Sequence, residues 1–337
     1  MSALISSLGE RDLIERIRQR LTTPVPDFVR LGIGDDAAVL RADRGADDVI
    51  TTDALVEGVH FRRDWTSLRA IGHKALAVNL SDLAAMGAVP RAALVSLILP
   101  AELPLDGFDD LITGLVGLAA ATKTTIVGGN IARSSGPLVI DVTAIGSVRP
   151  RRLLRRAGAR AGHRLYVTGT VGSAAAGLGM LASGRERSAF NEEQLACIDR
   201  HERPEPRLRF AGIVAKTAAA AACIDLSDGL ADAATRLASA ANLGVIVDGS
   251  AVPVTAAATS WFAAAGGNPV RAAISGGEDY ELAFAVAPRQ ERRFQAAARR
   301  CPDLTVHRVG VFTPEPGAWL DLDGVKEPLG QPEFEHF

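Results

Sequence analysis

The sequence predicts an α/β (α+β) protein of two domains, each mixing helices with strands. Three observations carry that prediction. In both halves, some segments space apolar residues at helical intervals while others run as short β-branched stretches. Several strands follow one another with no helix between them, which argues against a barrel of eight strand–helix repeats. Between 147 and 160 the chain reads SVRPRRLLRRAGAR, an abrupt shift to Arg, Pro and Gly. We place the domain boundary there, giving 1–148 and 149–337; a length of 337 residues suits two domains.

Each element has its own signal. Leu8, Leu13, Ile14, Ile17 and Leu21 mark an amphipathic helix over 8–21, broken at 22–26. Strands are predicted over 38–40 and 48–52, then a helix over 67–86 with Ser67 as its cap. A strand over 91–99 ends at Pro100 and Pro104, and a helix covers 108–122. Strands over 125–127 and 139–147 flank a Gly-rich turn, GGNIARSSG. In the second half, 164–168 is a strand and GTVGSAAAGLGM opens an Ala/Gly-rich helix. The polar, Pro-punctuated stretch 183–206 reads as loop or short helices. Helices follow over 207–222 and 228–241, then a strand over 243–248. Strands over 272–275 and 280–286 surround the SGGED turn, and a helix over 289–300 precedes a tail of short strands.

Composition narrows the function. Apolar residues at 47% and charged residues at 23% imply a packed core and exclude disorder. The formal net charge is −2, and no Lys/Arg run carries interleaved aromatics, so no nucleic-acid partner is expected. The one basic cluster, Arg149 to Arg160, reads as a solvated face or interdomain loop, with a phosphate site as the second reading. Cys197, Cys223 and Cys301 form neither a CxxC pair nor a disulfide framework, which suits a reducing cytoplasm. The N-terminus reads as an amphipathic helix rather than a signal peptide, and no apolar run approaches a membrane span.

The chemistry lies in short acidic turns. They are Asp35 and Asp36 in GIGDDAAVL, Asp53 in TTDALVEGVHF, Asp82 in NLSDLAAMG, Asp225 and Asp228 in IDLSDGLAD, and Glu278 and Asp279 in SGGEDYEL. Carboxylates among apolar residues are costly to leave unpaired. Lys and Arg reach only the edges of these windows, so divalent metal is implied, and oxygen-only ligands favour Mg²⁺ over zinc. Neighbouring residues of an extended segment face opposite ways, so one of Asp35 and Asp36 suits a metal, and Asp35 is preferred. Thr51, Thr52 and Asp53 offer three oxygens at a strand end. Every one of these motifs also has a bland reading: an Asx turn or cap at Asp35, a backbone-bonded buried acid at Asp82, a structural His60, and an ion pair from Glu278 to a distant arginine. GGNIARS and TGTVGSAAAG are candidate phosphate cradles, although neither is a P-loop nor a dinucleotide fingerprint. Taken together, acids and Gly loops point to phosphate chemistry.

Quoted together, GIGDDAAVL, TTDALVEGVHF, GHKALAVNLSDLAAMGAVP, GGNIARS, LYVTGTVG, HERPEPR, IDLSDGLAD, SGGEDYEL and FEHF resemble the thiamine-monophosphate kinases. That family belongs to the ATP-binding superfamily of aminoimidazole-ribonucleotide synthetase. The resemblance covers nearly the whole chain and implies a two-domain PurM-like fold. Its N-terminal domain would bind ATP and Mg²⁺ and pair with its copy as a homodimer, and its larger C-terminal domain would complete the active site. It implies direct transfer of the ATP γ-phosphate to thiamine monophosphate. By matching motifs, Asp35, Thr51, Thr52, Asp53, Asp82, Asn130, Asp225 and Asp228 are the implied ligands of several Mg²⁺ ions. Gly129, Asn130, Ser227 and Arg156 are implied ATP contacts, and Asp53, Asp228 and Arg156 the implied catalytic groups. His60, Glu278 and Phe334 are implied substrate contacts. The chain departs from the family pattern at Asn130, where Asp is usual, at Ser173, where an acid is common, and at Glu333, where Gly is usual. Two other readings remain: a sibling ATP-dependent synthetase, and a nucleotide- and metal-binding homologue whose turnover Asn130 impairs.

Overall fold

The computed structural model describes residues 3–330. It contains two compact units. One holds the residues up to Leu83 together with Val89–Pro150; the other holds Ala84–Ala88 together with the residues from Arg151 onward. A single cut at 148/149 leaves out the excursion at 84–88. Its physical reason is that Ala84 and Ala85 pack into the same core cluster as Leu154, Phe210 and Phe284.

The first unit runs α1 (Glu10–Arg20), β1 (Val29–Leu31), β2 (Val39–Leu40), β3 (Asp47–Val56), α2 (Leu68–Ala85), β4 (Val89–Pro100), α3 (Leu105–Thr122), β5 (Thr125–Ser134) and β6 (Val139–Val148). β1 and β2 pair antiparallel. The other strands form a sheet ordered β3-β6-β4-β5, parallel only between β4 and β5. A parallel pair needs a crossover, and α3 provides it. Ser67 accepts from the Ala70 amide at 3.3 Å, capping α2 as its sequence suggests. α2 and α3 cross backbone to backbone: a Cβ on Gly72 would lie 1.9 Å from the Leu111 carbonyl oxygen, and one on Gly114 1.8 Å from that of Arg69. α1 is tied to α3 by a two-pronged pair from Arg16 to Asp109 at 2.7 and 2.6 Å, joined by Arg20 at 2.8 Å.

The second unit runs β7 (Arg164–Thr168), α4 (Ser173–Ala182), α5 (Glu192–Glu202), α6 (Leu208–Thr217), β8 (Ala222–Asp225), α7 (Leu230–Ser239), β9 (Gly244–Asp248), α8 (Ala256–Ala264), α9 (Pro269–Ser275), β10 (Leu282–Val286), α10 (Glu291–Ala298), β11 (Val306–Thr313), β12 (Gly317–Leu322) and β13 (Val325–Pro328). Its sheet is ordered β13-β12-β9-β11-β7-β10-β8. β10 is buried throughout, and its side chains alternate between two cores. Ala283 and Ala285 join the cluster containing α7, while Leu282, Phe284 and Val286 join the one containing α6 and α10. In the latter, the rings of Phe210, Phe284 and Phe294 meet edge to face with centroids 5.2 to 5.7 Å apart.

Three local expectations change, and one left open between loop and short helices is settled as helix. GGNIARS is not a turn but part of β5. The stretch 272–275 is not a strand but the end of α9, which Asn268 caps through the Val270 and Arg271 amides and Pro269 opens. The segment 183–206 contains α5, an eleven-residue helix with a capping box between Asn191 and Gln194. The helix expected over 207–222 stops at Thr217, and Ala222 already belongs to β8.

Candidate functional site

β3 is an edge strand, and its pleat divides the Thr51-Thr52-Asp53 run between two faces. On one face, Thr51 donates to Asp82 of α2 at 2.5 Å, and Asp53 shares a hydrogen bond with the same carboxyl. On the other, Thr52 donates to Asp141 of β6 at 3.0 Å and meets Thr143 at 3.1 Å. The three oxygens therefore do not converge on one point, as the sequence alone suggested. Asp53 titrates well above the ordinary carboxylate range, at about 6. Partial loss of hydration is the largest cause, followed by the charge and hydrogen bond of Asp82 and the charge of Asp141.

The Thr52 face opens into a cleft of about 930 Å³ within the first unit. Ile14 and Ile17 of α1 and Leu115 of α3 give it an apolar wall, while Asp35, Asp36, Ser96, Gly129, Asn130, Asp141 and Thr143 make it polar. Asp35 and Asp36 both line it, from the loop joining β1 to β2; Asp35 also accepts from the Asp36 amide at 2.9 Å. Only glycine fits at 129, where a Cβ would lie 1.8 Å from the Val95 carbonyl oxygen of the adjacent strand. Asp141 went unnoticed in the sequence because LVIDVTAIG reads as an ordinary half-buried strand. His60 accepts from the Val56 amide at 3.1 Å in the turn after β3.

In the second unit, Asp225 ends β8 and is buried, while Ser227 and Asp228 occupy the loop to α7. The Asp228 carboxylate lies 3.7 Å from Arg236 and 3.5 Å from the Ser227 hydroxyl. This loop is held by SGGEDYEL. The Glu278 amide donates to Ser227 at 2.7 Å, Tyr280 to Leu226 at 3.0 Å, and Leu226 to Glu281 at 2.8 Å. Glu278 and Tyr280 adopt left-handed φ values of 67° and 49°, a conformation costly for side chains of this size. The Glu278 carboxylate lies 2.9 Å from Nδ1 of His201, an electrostatic approach rather than an aligned hydrogen bond.

Two carboxylates beside Glu278 are wholly buried. Asp279 accepts from the Gly172 and Ala174 amides at 2.6 and 3.0 Å. It thereby fills the N-terminus of α4, so TGTVGSAAAG is not a phosphate cradle. Burial pushes Asp279 up to about 7, although both amides oppose the shift. Glu281 accepts from Arg207 at 2.7 and 2.5 Å, Arg200 at 2.5 Å and Thr168 at 2.6 Å. The burial of Arg207 alone would lower its pKa, but Glu281 outweighs that and holds it above the ordinary value. This network joins HERPEPR to SGGEDYEL, a link no spacing in the sequence reveals. Arg156 sits exposed in the loop before β7. Phe334 and Glu333 lie outside the described residues.

Among the described residues, no three His, Cys, Asp or Glu side chains form a ready-made metal cage. The donor set nevertheless fits a hard divalent cation. It is oxygen-only, it mixes carboxylates with hydroxyls and an amide, and in Asp53 and Asp82 it draws like charges together.

Family models place the chain in a wider group. Residues 34–148 match the AIR synthase related protein N-terminal domain, and 160–322 the corresponding C-terminal domain. The thiamine-monophosphate kinase of Rhodopirellula baltica is 34% identical, over 92% of this chain and 91% of its own length. The crystal structure of thiamine-monophosphate kinase from Stenotrophomonas maltophilia K279a superposes with a TM-score of 0.83 at 35% identity, covering 94% of this chain and 98% of that one. A structure of AaThiL complexed with AMPPCP and TMP gives a TM-score of 0.76 at 33% identity, covering 97% and 98%.

Proposed function

The chain belongs to the AIR synthase related proteins and, within them, to the thiamine-monophosphate kinases, and from that membership we propose what it does. It is an ATP-dependent phosphotransferase that converts thiamine monophosphate to thiamine diphosphate. The observation that carries this reading is full-length similarity to a kinase complex holding both an ATP analogue and TMP.

We assign the site residues from the family motifs and their local geometry. Asp35, Thr51, Thr52, Asp53, Asp82 and Asn130 of the first unit, with Asp225 and Asp228 of the second, are the Mg²⁺ ligands. Bound there, Mg²⁺ offsets negative charge on the transferring phosphoryl group. We assign Gly129, which lines the cleft from β5, as a nucleotide contact. Asn130 and Ser227 offer the nucleotide an amide and a hydroxyl. Arg156 can grip a phosphate with two parallel N–H groups. His60, Glu278 and Phe334 contact thiamine monophosphate.

The acceptor is a phosphate ester, already anionic near neutral pH, so no strong general base is required. We assign Asp53 in the first unit, and Asp228 and Arg156 in the second, to positioning the phosphates and offsetting their charge. We also propose a homodimer formed through the first unit. β3 presents an unpaired edge, and Ile50 and Val89 are 66% and 63% exposed. Among the described residues, no helix is long and apolar enough to cross a membrane. Buried, unpaired Cys197, Cys223 and Cys301 suit the cytoplasm we assign.

The test is ADP release coupled to a readout, with ATP, excess Mg²⁺ and thiamine monophosphate. The reading requires release that depends on thiamine monophosphate; release no faster than with ATP alone refutes it.

A further inference from the structure

We propose that Asp141 is a metal-ligating residue of this chain and supplies the negative charge that the neutral side chain of Asn130 does not. The inference rests on the kinase reading above and deepens it at the cleft of the first unit.

Register brings the two residues to one place. Ser96 of β4 is paired with Asp141 of β6 on one side and with Asn130 of β5 on the other. Residues paired across strands share a face of the sheet. All three line the cleft that Asp35 enters from its loop. Asp141 and Asn130 are thus separated by two strand spacings, roughly 10 Å at the backbone, and both side chains project into the same space.

The surroundings of Asp141 suit a ligand better than a structural acid. Its Oδ1 accepts from Thr52, itself in the assigned ligand set, at 3.0 Å. Among the described residues, Oδ2 has no hydrogen-bond donor and no Lys or Arg forms an ion pair with the carboxylate. A half-buried carboxylate in that state carries a desolvation cost that a cation would relieve. Asn130 offers the same cleft a carbonyl oxygen but no charge. A hard divalent cation held by few protein ligands depends on one or two carboxylates among them. At the sheet side of this cleft that carboxylate is Asp141.

The test compares the full chain with Asp141→Asn, Asn130→Asp and the double variant. Each is titrated with Mn²⁺ in the presence of AMPPCP, with bound metal read by electron paramagnetic resonance, so that catalysis is not required. Asp141→Asn keeps the shape and the Thr52 contact, and it should weaken Mn²⁺ binding about tenfold, the equivalent of about 1.4 kcal/mol. Asn130→Asp should tighten it. The double variant restores one charge and should return to within about threefold of the parent, a difference under about 0.7 kcal/mol. Should the amide disturb folding, Asp141→Ser removes the same charge and is held to the same expectation. A parent-like affinity in the charge-removing variant, or a double variant as weak as Asp141→Asn, overturns the assignment while leaving the kinase reading intact. Absence of saturable Mn²⁺ binding by the parent protein overturns both.

Discussion

Replacing Arg207 by Met tests how the loop carrying Ser227 and Asp228 is supported. Glu281 is fully buried and Arg207 nearly so, at 0% and 11% side-chain exposure. The substitution keeps much of the aliphatic volume and deletes two of the four hydrogen bonds that reach Glu281. Removing one partner of a buried pair costs about 3–5 kcal/mol, because the remaining charge stays desolvated. Arg200 and Thr168 still hold Glu281, so the lower end, about 3 kcal/mol, applies here. For a unit of roughly 150–250 residues each kcal/mol lowers the melting temperature by about 2–4 °C, which gives a drop of about 6–12 °C. Arg207→Lys retains the charge but loses the fork and should fall between the two. The assay is thermal melting by circular dichroism or calorimetry. A melting temperature for Arg207→Met within about 2 °C of the parent would show that the network is not what holds the segment.

Further outcomes follow from other sites. Asp279 has a folded-state value of about 7 against an ordinary 3.8, so the native state binds its proton more tightly than the unfolded chain does and stability falls as pH rises across that window. Asp279→Asn should therefore flatten the melting temperature between about pH 4 and pH 7, and an unchanged slope would refute the assignment of that proton. Gly114→Ala must push α3 off the Arg69 carbonyl and should destabilise the first unit by more than about 2 kcal/mol, read from urea unfolding; a neutral result would contradict the helix crossing. Asp53→Asn removes a carboxylate crowded by Asp82 and Asp141, so it should cut turnover at least about a hundredfold while leaving the metal-free melting temperature equal or higher. A variant that instead melts early points to a structural role for Asp53.

The helices α1, α2 and α3 were legible in the sequence to within a few residues. α1 and α3 carry an apolar stripe at a period of 3.6, whereas α2 is buried on almost every side and was legible as an apolar run of helical length. The strand at 164–168 was legible as well, being short, apolar and bounded by Gly. Local signals failed where tertiary partners rewrote them. GGNIARS looks like a turn by composition, yet β4 offers it a parallel ladder, and its glycine serves close approach rather than bending. The tetrapeptide at 272–275 is apolar enough for a strand, but the cap at Asn268 commits it to helix.

The same division holds at the site. Residue type alone set the expectation, because oxygen-bearing side chains in short Gly-containing motifs suit phosphate and hard cations. Tertiary structure decided which of them meet. The pleat of an edge strand parted Thr52 from Thr51 and Asp53, the β6 register delivered Asp141 to the cleft, and burial turned Asp279 inward to cap a helix. Those outcomes depend on pairings between residues distant in sequence, and a linear pattern carries no term for a neighbour it has not yet met.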